Sequence, residues 1–305
     1  MINLQSVKKS LKWQDVEQKL DSLCSVEGGF SQAKRGLINL DDGTCVFVKI
    51  GLEEDTRRWT KKEIGSYRFL QKYNYPYIPQ LLAVNSDESG FVIDAYTPEN
   101  GWDWKDNWDK ERLDKTLEAM DALAVIKPQD QDFAYFAEKV FDESEDGWKP
   151  LLESLESQQK LHEKLCAVGR SDIANRIDFV ADAKKSQRFI FKNDILVHND
   201  VRADNCAWNP MTKEVRLVDW NWVQLGDRKI DLAALLTHVQ KSGFDILPQY
   251  IDRLDADALH WLAGFWLKSA ITPIWQGGPE HLRHVQLISG VAALDLMDKI
   301  IAKIY

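Results

Sequence analysis

The chain has 305 residues, 44% of them hydrophobic, enough to line the core of one large domain or two ordinary ones and too many for a disordered chain. Its 39 Lys and Arg against 48 Asp and Glu leave a net charge of −9, which disfavours the phosphate attraction a nucleic-acid reader needs. No apolar run approaches the ~18 residues of a spanning helix, and the opening MINLQSVKKSLKWQ lacks the apolar stretch of a signal peptide, so a cytoplasmic protein with neither membrane nor nucleic-acid partner is expected.

In chain order, residues 28–96 read as short strands around one helix, with turn signals at Asp41-Asp42-Gly43 and Asn85–Gly90. Cys45–Ile50 and Phe91–Ile93 have the side chains of strands, and residues 56–73 those of a helix. Pro98 and Gly101 end this half. Beyond about residue 108 the pattern turns helical: Leu113, Leu117, Met120 and Ala124 form one stripe, and further helices fit 150–167, 171–184, 228–241, 255–269 and 279–303. A strand-like block between Arg188 and Asp219 interrupts them. The predicted architecture is α+β, with a sheet-rich lobe over 1–96 and a larger helical lobe over 97–305. Four cysteines, Cys24, Cys45, Cys166 and Cys206, lie far apart without a Cys-x-x-Cys pair, which argues against zinc and disulfides and for four reduced, buried thiols.

The chemistry concentrates in Leu196–Asn205, which contains His198-Asn199-Asp200 and, five positions after Asp200, Asn205. Fourteen residues later stands Asp219. Cys206–Trp208 and Val215–Val218 can pair across the turn Asn209–Thr212, bringing Asn205 beside Asp219. An amide oxygen and a carboxylate at adjacent strand ends suit Mg²⁺, which keeps waters and substrate phosphates as its other ligands. Asp200 is placed to accept a hydroxyl proton. His-x-Asp-x-x-x-x-Asn followed by an Asp flanked by strands resembles the catalytic and metal-binding loops of eukaryotic-like kinases. Such a site needs a strand lysine and a helix glutamate, and Lys49 and Glu63 fit. Glu63 interrupts the apolar stripe of its helix, where a lone charge is costly without a cation.

Taken together, Gly28–Ser31, Lys49, Glu63, Asp94–Tyr96, His198–Asn205, Asp219 and Gly226–Ala233 resemble, in order, the motifs of the aminoglycoside phosphotransferase family over roughly residues 25–240. That family has a protein-kinase-like, two-lobed fold, and His-Asn-Asp is also similar to choline and ethanolamine kinases. The resemblance implies ATP or GTP with Mg²⁺ as cofactors and a small-molecule alcohol as acceptor. Ser31 would reach phosphates, Lys49 would neutralise them with Glu63 fixing its ammonium, and hinge backbone near Asp94 and Tyr96 would hold the base. Asn205 and Asp219 would hold metal, Asp200 would serve as catalytic base, Arg202 would stabilise the moving phosphoryl group, and Asp231 would anchor the loop. Two departures stand out: Asn199, where many family members have Gly, and Arg202, where protein kinases usually place Lys. The alternative is a degenerate nucleotide-binding module that regulates a partner, although a scaffold has no need of the full polar set. The short segment between Asp219 and Gly226 leaves no room for the activation loop of a protein kinase. Trp102, Trp104 and Trp108, interleaved with acids, read as packing of a linker, with a wall for a cationic amine as the competing reading.

Overall fold

A computed structural model describes residues 11–26, 32–129, 132, 136, 141–182, 189–275 and 278–304. They group into two compact units, one drawn from Met1–Asp106, Lys110–Leu123 and Ala203–Val223, the other from Asn107–Asp109, Ala124–Arg202 and Gln224–Tyr305.

The first unit is built on an antiparallel sheet of β1 (Cys24–Ser25), β2 (Lys34–Asn39), β3 (Cys45–Ile50), β4 (Leu81–Val84) and β5 (Gly90–Asp94), in the order β1-β2-β3-β5-β4. The two-residue period of β3 sorts its side chains. Val46 and Val48 point into a cluster with Val16, Ile38 and Val92, while Phe47 and Lys49 fall on the opposite face. Helix α1 (Glu54–Lys72) follows at once. The Glu53 amide donates to the Thr56 hydroxyl at 3.0 Å, satisfying a backbone group at the helix start. Thr56, Thr60, Glu63, Ile64, Tyr67 and Leu70 share its buried face. Gly51, between β3 and α1, has room for no side chain, since a Cβ there would lie 2.6 Å from the Thr56 and Arg57 backbone. That tight join brings α1 back over β3.

Helix α2 (Lys110–Ala124) buries Leu113, Leu117 and Met120, as the stripe predicts, together with Arg112 and Thr116. The predicted hairpin pairs Cys206–Asn209 with Glu214–Leu217, Cys206 opposite Leu217. Asn209 Oδ1 accepts from the amides of Met211 and Thr212, so the asparagine shapes its own turn. Asp103 bridges to Trp208 through two backbone hydrogen bonds of 2.7 and 3.0 Å, and the Leu217 amide donates to the Tyr77 carbonyl at 2.7 Å.

The second unit is mainly helical. Ile195–Val197 pairs antiparallel with Gln224–Gly226; α3 (Arg228–Lys241) packs on this ladder, and α4 (Ala256–Ile271) and α5 (Leu282–Ile304) pack on α3 and on each other. Nearly every residue of α3 from Ile230 to Val239 is buried, so it forms the middle of this unit. Two expected helices are broken. The stretch 150–167 becomes Trp148–Glu153 and Leu155–Ala167, because Ser154 turns extended and its hydroxyl accepts from the Ser157 amide, capping the second helix. The stretch 171–184 becomes Ser171–Ala174 and Ile177–Asp182. The cysteine expectation also needs correction: all four are free thiols, but only Cys206 is buried, and Cys24 is exposed on the two-residue strand β1. No helix among the described residues is long and apolar enough to cross a membrane.

Candidate active site

In the first unit, three residues predicted from separate motifs meet. Lys49 Nζ lies 2.7 Å from Glu63 Oε2 and 2.7 Å from Asp219 Oδ1. Lys49 and Glu63 are 4% and 2% exposed, so each charge there needs a counter-charge, which Lys49 finds twice. Burial pulls the Lys49 ammonium toward its neutral form. The charges of Asp219 and Glu63 outweigh it, and the lysine stays protonated, its pKa held above the ordinary value. Burial, reinforced by Asp219, outweighs Lys49 at Glu63, whose carboxyl is pushed up.

Asp219 is positioned from several sides. Its backbone is left-handed (φ 63°, ψ 58°), a conformation that Asp tolerates better than most residues. The preceding Val218 amide donates to the Asn205 carbonyl at 3.0 Å, and the following Trp220 is fully buried, edge-on to Tyr75. Asn205 is itself buried and ends the short turn Ala203–Asn205. The hairpin register therefore sets the metal candidates on neighbouring strand ends, as the spacing predicts. Asn221, which no motif reading singled out, donates Nδ2 to Asp219 Oδ1 at 2.6 Å. Tyr67, one turn beyond Glu63, is buried with its phenol held protonated by burial and by the charges of Glu63 and Asp219.

The candidate hinge lies in the same unit. Asp94 exchanges two bonds with Gln80, its amide donating to the Gln80 carbonyl at 3.2 Å and its Oδ2 accepting from the Gln80 amide at 3.1 Å. The Tyr96 carbonyl accepts from the Trp104 indole at 2.7 Å, and the Tyr96 ring packs 4.4 Å from Trp102. Arg216 lies over the other ring system of this group, 5.6 Å from Trp102. Trp102 and Trp108 are buried, which is the packing role for these tryptophans. Ser31 and Gly28–Phe30 lie outside the described residues.

In the second unit, the loop after Ile195–Val197 carries Asp200 and Arg202. Arg202 Nε is 3.1 Å from Asp200 Oδ1, and the Asp200 amide donates to His198 Nδ1 at 3.3 Å. His198 is fully buried, bracing the loop. Asp231, from the first turn of α3, accepts the Asn199 amide at 2.8 Å and lies 3.5 Å from Arg228, which is the anchoring role the resemblance implies. Asn199 is left-handed (φ 64°), and this explains the departure noted in the sequence: glycine is the default residue for that conformation and asparagine the commonest substitute.

Arg112 is the other residue that sequence reasoning missed. Fully buried, it donates to the carbonyls of Lys105, Ala203 and Cys206. The signal was available, because Arg112 sits one turn before Thr116 on the buried side of α2, a charge inside an apolar stripe like Glu63.

Residues 22–265 match the profile of a family described as "Phosphotransferase enzyme family". Among solved structures, a choline kinase, LicA, from Streptococcus pneumoniae is 15% identical, with 92% of this chain and 98% of that one covered and a TM-score of 0.54. An aminoglycoside phosphotransferase in complex with GDP and kanamycin is 16% identical over 96% of this chain and 98% of that one, with a TM-score of 0.54. A GDP complex of an aminoglycoside 2′-phosphotransferase is 12% identical, with the same coverage of 96% and 98% and a TM-score of 0.51. At these identities the likeness is one of fold, the protein-kinase-like α+β fold. A search by sequence among curated proteins finds no match.

Proposed function

The chain belongs to the phosphotransferase enzyme family, and we propose that it is a small-molecule kinase, transferring the γ-phosphoryl group of ATP or GTP to a hydroxyl of a metabolite or antibiotic. The observation that carries this reading is the buried Lys49, one ammonium shared between Glu63 and Asp219, which lie 14 and 170 residues away along the chain. Phosphoryl transfer asks for that arrangement, since its catalysis rests on positioning and on charge placed before the reaction.

Lys49 would neutralise nucleotide phosphates, which compete with Asp219 for its ammonium, while Glu63 keeps it in place. Asn205 and Asp219 would hold Mg²⁺. Their donor set fits: an amide oxygen plus a carboxylate, both hard oxygen donors, leaves positions for phosphate and water. When bound, Mg²⁺ would spread the charge that develops on the phosphates. Asp200 orients the acceptor hydroxyl and takes its proton as the hydroxyl oxygen bonds to the γ-phosphorus and the bond to the nucleoside diphosphate breaks. Arg202, paired with Asp200, brings a cation to the moving phosphoryl group. The base would lie against the Asp94–Tyr96 backbone; the Tyr96 carbonyl keeps a second lone pair beside the one that Trp104 uses. Ser31 would donate to phosphates. Residues 1–96 would then serve the nucleotide, and 97–305 the metal, the proton transfer and the acceptor, in the cytoplasm.

The test is release of nucleoside diphosphate from ATP and GTP with Mg²⁺, across a panel of amino alcohols, sugars and amino sugars. Acceptor-dependent release that is lost in Asp200→Asn supports the reading. Mg²⁺-dependent nucleotide binding without transfer to any acceptor would favour the regulatory module instead.

A further inference from the structure

The carbonyls around Asn205 are held by donors from two different elements. The Asn205 carbonyl accepts from the Val218 amide at 3.0 Å, which ties it to the strand that leads into Asp219. The carbonyls on either side, of Ala203 and Cys206, both accept from one nitrogen of Arg112, at 3.3 and 2.8 Å. The other terminal nitrogen of Arg112 donates to the Lys105 carbonyl, in the tryptophan-rich segment that precedes α2. Burying a guanidinium completely is expensive unless its donors are used, and here both terminal nitrogens donate to main-chain oxygens, one of them to the turn around Asn205. The planar fork suits this task, because it presents several N–H groups in fixed directions that a lysine ammonium cannot match.

Peptide planes determine where a side chain leaves the backbone. With the carbonyls of residues 203, 205 and 206 all directed, the Asn205 side chain has its origin fixed relative to Asp219. The neighbouring Thr116, one turn along α2, has its hydroxyl 3.4 Å from the Cys206 thiol, so α2 touches this turn at two successive positions of one face.

We infer that Arg112 is the positioning residue of the Asn205–Asp219 pair, setting its affinity for a divalent cation through the Ala203 and Cys206 carbonyls. This rests on the assignment of Asn205 as a metal ligand made above. Arg112 touches neither nucleotide nor acceptor in this scheme; it acts through the turn.

The experiment titrates Mg²⁺ into full-length protein with a non-hydrolysable ATP analogue at fixed concentration, in the parent chain, Arg112→Lys, Arg112→Gln and Asn205→Ala. Binding is read by calorimetry, and folding by circular dichroism. Outer partners of metal ligands are typically worth ten- to a hundredfold in metal affinity. Arg112→Lys should therefore raise the Mg²⁺ concentration for half-maximal binding about tenfold, and Arg112→Gln more, while analogue affinity at saturating Mg²⁺ stays within about twofold of the parent. A structural role alone would lower the unfolding temperature without moving the Mg²⁺ midpoint, and that result in folded Arg112→Lys overturns the inference. Failure of both Arg112 variants to fold would assign the residue to the core and overturn it equally. If Asn205→Ala leaves the midpoint unchanged, the metal assignment itself fails, an outcome distinct from an effect of Asn205→Ala with none of Arg112→Lys.

Discussion

The two units each hold a charged cluster, and the two are assembled differently. In the second unit, Asp200, Arg202, His198 and Asn199 belong to one short loop, and Asp231 on α3 accepts the Asn199 amide. In the first unit, Lys49, Glu63 and Asp219 come from a strand, a helix and a hairpin end, the last 170 residues from the lysine. The loop cluster can keep its internal geometry when its surroundings shift. The lysine cluster exists only when the sheet, α1 and the hairpin are all in register, so it reports on the integrity of the whole unit. The charges proposed to meet the nucleotide are built from distant parts, while the proposed base sits on a local turn.

The largest effect that tests this contrast is at Asp200. Asp200→Asn should cut turnover by roughly 10²–10⁴-fold, the usual worth of a general base, with nucleotide binding and unfolding temperature retained because the amide keeps the size and shape of the carboxylate. Near-parental turnover would remove Asp200 from the chemistry. Next comes Asp219→Asn, expected to abolish the Mg²⁺ dependence of nucleotide binding, measured by calorimetry. Unlike Asp200→Asn it should also lower the unfolding temperature, since Lys49 loses one of two counter-charges; breaking a buried pair costs roughly 3–5 kcal/mol, and less here because Glu63 remains. Equal unfolding temperatures for the two variants would erase the distinction between the clusters.

A smaller effect is expected at Asn199. At its positive φ, Asn199→Ala should destabilise by about 1–2 kcal/mol and Asn199→Gly by much less, in denaturant unfolding. The reverse order would mean that the asparagine side chain, not its backbone, matters. The smallest is at His238, half-buried on α3, whose pKa is driven well below 6.5 by desolvation and, to a lesser degree, by Lys241 and Arg202. Because the folded protein resists protonating this ring and the unfolded chain does not, stability is fully present above about pH 6.5 and falls as the pH drops below it. His238→Asn should flatten that acid slope in thermal unfolding, and an unchanged slope would locate it elsewhere.

Much of this was legible in the amino-acid sequence, for reasons that differ by element. Cys45–Ile50 and Arg228–Lys241 match their predicted bounds because strong local patterns and nearby turn or cap residues agree there. Glu63 stood out as a charge in an apolar stripe, and the cation it needs is Lys49. Arg112 gave the same signal, but the partners that tie it to the Asn205 turn are main-chain oxygens, which no side-chain motif encodes. The break at Ser154 was hidden because a serine inside a helical pattern is an ordinary residue until its hydroxyl is used as a cap. The packing of Trp102 on Tyr96 and Arg216 depends on strand register, which residue types alone leave open.

The left-handed backbone at Asp219 also bears on how such an activity could be lost. Of the residues one nucleotide change away from an aspartate codon, asparagine and glycine are the two that accept this torsion readily. Both lack the carboxylate. The mutations most compatible with the local backbone at this position are therefore those that remove the proposed metal ligand, so that, under the proposed function, a non-catalytic descendant with an intact hairpin lies a single point mutation away.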